Sequence, residues 1–296
     1  MLLGILLALG QTISWAGASI VLRRLSAEHD ATVLNGLRSL AALCVILPLV
    51  WITGQQGGWA ALDWRSLLYI VGATLAGGVV GDSLYIAVLD MIGVARTLPI
   101  TNSFPMFTLL LSALLLDEPI TWLMVAGIVL VLLGGYLVTQ PSRGKHATMG
   151  PPPAKRLGLG VALAVLVALL WAGAAVALSI GLRQVPALIV VNVRLSVVAC
   201  LSLVLATIRG KIGQVARFRG PELRRLLLSS LLGSVGAATL YILALEQIGP
   251  SRVTTVNATL PLFGAAFSYL FLRERLSPLM WAGTVLTVAG LVLVVL

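Results

Sequence analysis

The chain has 296 residues, 59% of them hydrophobic and 10% charged, with a mean hydropathy of +1.06. That balance excludes a soluble globular domain and fits a protein that lives in lipid. The formal net charge is +10, but the Lys and Arg fill short gaps between apolar runs instead of gathering on one face with aromatic platforms, which argues against nucleic acid as a partner.

A helix crosses the roughly 30 Å hydrocarbon core in about 20 residues. Ten spans are expected, at 3–22, 33–53, 67–89, 97–116 and 120–139, then at 158–182, 187–208, 226–245, 253–272 and 278–296. The first run lacks a basic leader and returns in mid-chain, so it reads as a spanning helix and not a cleaved signal. It carries Gln11, Thr12 and Ser14, then Trp15 followed by Ala16-Gly17-Ala18, small residues that let helix backbones approach. Span two holds Arg38 a few residues in, where it either snorkels to headgroups or meets an anionic group. Cys44 in the same span reads as a small core residue, as does Cys200, and neither suggests a disulfide.

Span three carries Asp82, just ahead of Tyr85. A carboxylate inside a bilayer costs roughly 2.5–3.5 kcal/mol, so it faces a cavity or a partner. Asp82 is therefore either a site for a cationic substrate group or coupling proton, or the ion-pair partner of Arg38 or Arg194. Span four has the polar turn Thr101-Asn102-Ser103 before Pro105. A Pro inside a helix frees a carbonyl and kinks the axis. Its hydroxyls can equally bond back to the helix, whereas the Asn102 amide points to a ligand contact. Glu118 follows span four and is expected to cap the next helix.

Residues 141–157 are polar and Pro-rich and read as a linker. After it the whole pattern returns at a constant offset of 156 positions. Trp15 recurs as Trp171, Arg38 as Arg194, Tyr85 as Tyr241, Pro105 as Pro261, Glu118 as Glu274, and Gly127 and Gly134 as Gly283 and Gly290. Asn257, with Thr254, Thr255 and Thr259, supplies the polar turn before Pro261. The copies differ at chosen points: Asp82 faces Ala238, and Gln11 faces Val167. The organisation is thus a five-helix unit over 1–140, the linker, and a second unit over 158–296. Five is odd, so the second unit enters the membrane inverted, as in secondary transporters. Loop charges place the linker in the cytoplasm and both chain ends outside. The basic gap 209–225 reads as a solvated loop, and His29 and His146 lie in loops that do not combine into a metal-ligand cluster.

No nucleotide-binding glycine loop or nucleophile–base set occurs, so no enzyme and no cofactor is expected, and energy comes from a gradient. The Trp-Ala-Gly of spans one and six, Arg38 and Arg194, Pro105 and Pro261, Glu118 and Glu274, and the Gly127 and Gly283 helices together resemble the drug/metabolite transporter superfamily, in its EamA branch. The resemblance implies eight helices around a central cavity, the fifth and tenth packed outside, and export of amino acids or other small metabolites by alternating access. The family pattern has Gly before the acid closing span four, where this chain has Asp117 and Arg273, and cytoplasmic termini, against the charge count.

The expected protein is an all-α, ten-span secondary transporter of the cytoplasmic (inner) membrane, monomer or homodimer, moving a small polar metabolite with possible proton coupling. Asp82, Trp15, Trp171, Tyr85, Tyr241, Gln11, Arg38, Arg194, Asn102 and Asn257 are its candidate substrate or coupling residues. Its rivals are a lipophilic-cation exporter, which an acid beside aromatics suits, and a non-transporting lipid-handling scaffold.

Overall fold

The structure is a computed structural model and describes residues 1–25, 28–92, 94–139, 154–263, 266 and 278–295. Glu274, most of the linker and the later part of the expected ninth span lie outside the described residues. Among those described there are helices and turns but no strand.

Helix α1 covers Leu2–Leu25 and α2 Ala31–Ile52. Asp30 starts α2, its carboxylate accepting from the Thr32 amide at 2.9 Å, and Gly54 with φ 71° turns the chain out. Asp63 likewise starts α3, Trp64–Ala73, by accepting from the Ser66 amide at 2.8 Å. The chain then widens into a π-helical segment, Thr74–Gly81, before α4, Asp82–Ile92. Next come α5, Val94–Thr101, α6, Phe104–Leu116, and α7, Trp122–Thr139. The second copy gives α8, Ala154–Gly181, α9, Ala187–Ile208, α10, Pro221–Ser229, a π segment at Ser230–Ala237, and α11, Ala238–Asn257. Helix α12 is Pro278–Val295.

The two π segments occupy equivalent positions of the two copies. A π turn is rare inside an α-helix and recurs at functional positions, so this irregularity is duplicated along with the sequence. The breaks near Pro105 and Pro261 are duplicated too. The Ser103 amide donates to Ile100 O and the Met106 amide to Ser103 O, as the Thr259 amide donates to Val256 O and the Leu262 amide to Thr259 O.

Several expectations are corrected here. Pro105 does not kink a continuous helix. It sits in the first turn of α6, where a missing N–H costs nothing, and Asn102 and Ser103 form the turn before it. Pro261 stands in the same way just after the Ala258–Thr259 turn. Within Ala238–Asn257 the expected eighth and ninth spans meet at a break: Gly249, with non-helical φ 73° and ψ 167°, ends one helix and Pro250 begins the next. Six described helices are long and apolar enough to cross a membrane: Leu2–Leu22, Ala31–Ile52, Trp64–Tyr85, Leu157–Gly181, Ala187–Ile208 and Pro221–Asn257. Phe104–Leu116, Trp122–Leu137 and Pro278–Val294 are apolar but shorter. The described residues thus establish a bundle of apolar helices but not the full set of ten spans, and the turn at Asn102–Ser103 divides span four. Cys44 and Cys200 are free and exposed, not core residues.

The chain divides into two compact units that each draw on both copies. One, the arginine unit, comprises Leu2–Thr74 and Ala177–Ile248; the other, the acidic unit, comprises Leu75–Val176 and Gly249–Leu296 with Met1. In the arginine unit α2 packs along α9, and Gly36 near the start of α2 lies against Leu203 near the end of α9. In the acidic unit α7 packs along α12. Gly127 lies against Gly290 and Val294, and Gly134 against Gly283 and Thr287, so the two helices run antiparallel. Missing side chains bring these backbones together, as small residues do throughout membrane bundles. Large apolar side chains such as Ile52, Leu114 and Ile208 are left mostly exposed, as lipid solvent permits.

Two outcomes are expected. A Cβ at Gly127 would stand 2.6 Å from the Gly290 carbonyl oxygen, whereas one at Gly72 meets nothing within 4 Å. Gly127→Ala is expected to cost about 1–3 kcal/mol through overpacking and to lower the melting temperature in detergent, while Gly72→Ala leaves it unchanged or raises it slightly. The Thr32 hydroxyl and amide hold the Asp30 carboxyl below its ordinary value. A depressed carboxyl stabilises the fold above its unfolded pKa and loses that contribution as pH falls through the folded one. Asp30→Ala is therefore expected to cost about 1 kcal/mol at neutral pH, with the difference from wild type vanishing in acid melts below the ordinary carboxylate range.

Candidate substrate site

The acidic unit contains a carboxylate held among aromatic rings. Asp82 is the first residue after the π segment Thr74–Gly81, and the Trp171 indole N–H donates to its Oδ1 at 3.0 Å. The Tyr85 ring lies 5.3 Å from the Trp171 ring at 48°, and Phe104 lies 5.9 Å from it, edge-on at 81°. Asp82 itself is exposed and Tyr85, Phe104 and Trp171 are half-buried.

Two glycines make this possible. A Cβ on Gly81 would stand 3.1 Å from both Cδ1 and Nε1 of Trp171, and one on Gly77 would stand 2.7 Å from the Ala174 Cβ. A side chain at Gly77 would force α8 and the π segment apart, and one at Gly81 would press on the Trp171 indole. In the second copy the equivalents of Gly81 and Asp82 are Ala237 and Ala238, so the site exists once.

The arginine unit places its cations differently. Arg38 does not snorkel. It is 3% exposed, its Nη2 donates to the Ser229 carbonyl at 3.2 Å, and the Ser230 hydroxyl donates to the Arg38 carbonyl at 2.6 Å. No carboxylate among the described residues lies within ion-pair distance of it. Gly233 leaves room for the guanidinium. Ser14 donates to the Leu232 carbonyl at 2.7 Å, so residues of α1 and α2 both service the carbonyls of the Ser230–Ala237 turn and its approach. Arg194 lies over the Tyr241 ring, its Cζ 5.7 Å from the centroid, a cation–π arrangement. Trp15 is 40% exposed, and half-buried Gln11 accepts from the Thr12 hydroxyl at 3.3 Å.

The hydroxyls near the helix breaks turn inward. Thr101 donates to Thr97 O at 3.0 Å, Ser103 to Ile100 O at 2.6 Å, Thr254 to Pro250 O at 2.8 Å and Thr259 to Val256 O at 2.6 Å. Asn102 and Asn257 are the half-buried amides at these breaks.

Glu118 does not cap α7. The Thr121 hydroxyl does so, accepting from the Met124 amide at 3.2 Å. The Glu118 carboxylate instead accepts from the Ser251 hydroxyl and lies against Gly249, at the start of the helical stretch that begins with Pro250. It stands beside a distant helix start, where the dipole favours an anion.

One metal-capable group forms that sequence reading did not assemble. Donor atoms of Glu28, His29 and Glu222 lie within 4.8 Å of one another. The bond of His29 Nε2 to Glu222 Oε2 at 3.0 Å accounts for this group as a tie between the turn before α2 and the first turn of α10.

Sequence reasoning also missed Phe104, whose repeat mate is Leu260, and the need for Gly81. The absence of any side chain beside a lone intramembrane acid was the available signal for the glycine.

Residues 2–140 and 158–296 each match the model of the EamA-like transporter family. The chain belongs to this family. It is accordingly a multi-pass membrane transporter. An "Uncharacterized transporter" of Archaeoglobus fulgidus is 27% identical over all of this chain and 99% of its own length. The "Uncharacterized transporter YvbV" of Bacillus subtilis is 23% identical over 49% of this chain and 47% of its own. A solved structure titled "Crystal structure of protein" superposes with a TM-score of 0.77 at 16% identity, covering 98% of this chain and 95% of that one, which shows a shared fold.

Substituting Gly81 by Ala is expected to push the Trp171 indole off Asp82. The Nε1–H resonance of Trp171, assigned by Trp171→Phe, should then move toward the position of an indole without a carboxylate partner in the NMR spectrum of indole-labelled protein. An unmoved resonance would show that the glycine does not set this contact.

Proposed function

We propose that this EamA-family protein is a secondary active transporter that exports a small polar metabolite bearing a cationic amine across the inner membrane, by alternating access between two inverted five-helix repeats. The antiparallel packing of repeat-related helices, α2 with α9 and α7 with α12, supports the inversion. Ten crossings follow if the split, short and kinked helices are counted with the six long ones.

The observation that carries the substrate reading is the Asp82–Trp171 contact. A carboxylate present in one copy only, oriented by an indole N–H and reached from outside the protein, offers charge and hydrogen-bond acceptance to an ammonium group. The same carboxylate can take the coupling proton in alternation with the cargo. Buried Arg38 and the Arg194–Tyr241 pair belong in this reading to the scaffold and gate.

The second reading, a lipophilic-cation exporter, draws on the same aromatics. A cation held by ring faces needs those faces open within about 6 Å of it. Here Trp171 packs directly on Tyr85 and Phe104, so the carboxylate is the feature offered. That favours an amine with N–H donors over a quaternary or delocalised cation.

Liposomes with an imposed pH gradient separate the readings. Flux of amine-bearing metabolites such as amino acids is expected, with no efflux of cationic dyes. Asp82→Asn should lower the coupled flux about tenfold or more, as befits a lost hydrogen bond to a charged group, with little change in melting temperature. Full coupled transport by Asp82→Asn would remove the proposed role of this acid.

A further inference from the structure

The gap after α9 and the first turns of α10 carry Arg209, Lys211, Arg217, Arg219, Arg224 and Arg225, and all six are exposed. The described residues show this segment as folded, not as a loose loop. A short 3-10 turn occupies Ile212–Arg217, and the Lys211 amide donates to Ala206 O at 2.7 Å, closing the end of α9. Phe218 is buried against Leu25, Val33, Leu34, Ala206 and Leu226. Its ring also lies 4.3 Å from that of His29, which is bonded to Glu222 at 3.0 Å. The Asp30 amide donates to the Gln214 side chain at 2.9 Å. An aromatic anchor and two polar ties thus hold the segment to the turn between α1 and α2.

The charge arrangement is one-sided. Glu222 is the one carboxylate of the segment, and His29 occupies it. Asp30 lies near Arg209 and offsets part of that charge. Glu28 also lies beside His29 and Glu222, but no ion pair with an acid forms at any of the six cations among the described residues. The segment also leaves a membrane-length helix at Ile208 and enters another at Pro221, so its cations cannot move far from the bilayer surface. Ile212 and Leu223 are exposed among them, at 39% and 40%, and offer apolar contact at the depth of the headgroup boundary.

We propose that this segment is a docking surface for anionic phospholipid headgroups of the adjacent leaflet. The planar guanidinium of arginine meets two oxygens of a phosphate in a way a point charge does not, and five of the six cations are arginines. A folded platform pays little ordering cost on binding, unlike a flexible basic tail. Tied to α1, α2, α9 and α10, the surface would make the arginine unit responsive to the charge of the leaflet. The inference does not depend on which cargo is carried.

The test uses the full chain in phosphatidylcholine vesicles containing spin-labelled phosphatidylglycerol or spin-labelled phosphatidylcholine, with the motionally restricted fraction of each read by electron paramagnetic resonance. Wild type is expected to prefer the anionic label severalfold, and the preference should fall as salt screens the surface. Arg217→Gln with Arg219→Gln, and separately Arg224→Gln with Arg225→Gln, should each reduce it, by about fivefold for every arginine that meets a headgroup. Neither pair lies in the buried anchor, so melting temperature in pure phosphatidylcholine should hold. Equal restriction of both labels in wild type, or an unchanged preference in both double variants, overturns the proposal. Loss of the preference on adding inorganic phosphate at constant ionic strength overturns it too, because a discrete phosphate site would then replace the leaflet.

Discussion

Within hydrocarbon every backbone N–H and C=O must find its partner inside the protein, and this chain places that demand under strain by breaking its helices repeatedly. The π segments at Thr74–Gly81 and Ser230–Ala237, the turns before Pro105 and Pro261, and the Gly249 kink all disturb the regular ladder. Each break has polar side chains beside it. Ser103 and Thr259 bond back across their turns, Ser14 and Arg38 reach carbonyls in and beside the second π segment, and Glu118 takes the start of the helix after Gly249. A good share of the scarce intramembrane polarity therefore belongs to the architecture of a helix bundle that is irregular by construction.

Against that background Asp82 stands apart. Thr101, Ser103, Thr254 and Thr259 close hydrogen bonds within a turn of their own helix, but Asp82 meets Trp171 from another element and keeps its exposure. Duplication supplied a scaffold with Trp, Tyr and Pro in matched places. Divergence then put Gly81 and Asp82 into one copy and two alanines into the other. The π segment widens the helix at this point and the missing Cβ admits an indole, so the specialised half differs from its twin by a few atoms on a shared backbone.

The helical class, the duplication and the membrane setting were all legible in the sequence, since they rest on composition and on residues repeating at one offset. Asp82 was visible as well, because an unmatched charge in an apolar run costs free energy, but its contact with Trp171 was not. Other readings chose the wrong consequence of a correct observation. Pro105 was visible, but whether a proline kinks a helix or begins one depends on where the preceding turn closes. Glu118 was expected to cap the next helix, yet its carboxylate meets the Ser251 hydroxyl, more than a hundred residues away in the chain. Arg38 had the length to reach headgroups, and only the carbonyl of Ser229 and the space over Gly233 explain why it stays buried.

What the sequence by itself determined is what short-range chemistry fixes: which stretches prefer lipid, where glycine and proline interrupt them, and that one half repeats the other. Tertiary structure alone decided the partners. Asp82 with Trp171, Glu118 with Ser251, and His29 with Glu222 join residues far apart in the chain. Such pairings depend on how helices cross, and crossing depends on a Cβ missing at Gly77, Gly127 or Gly233, whose effect appears only when a second backbone is close enough to need the space.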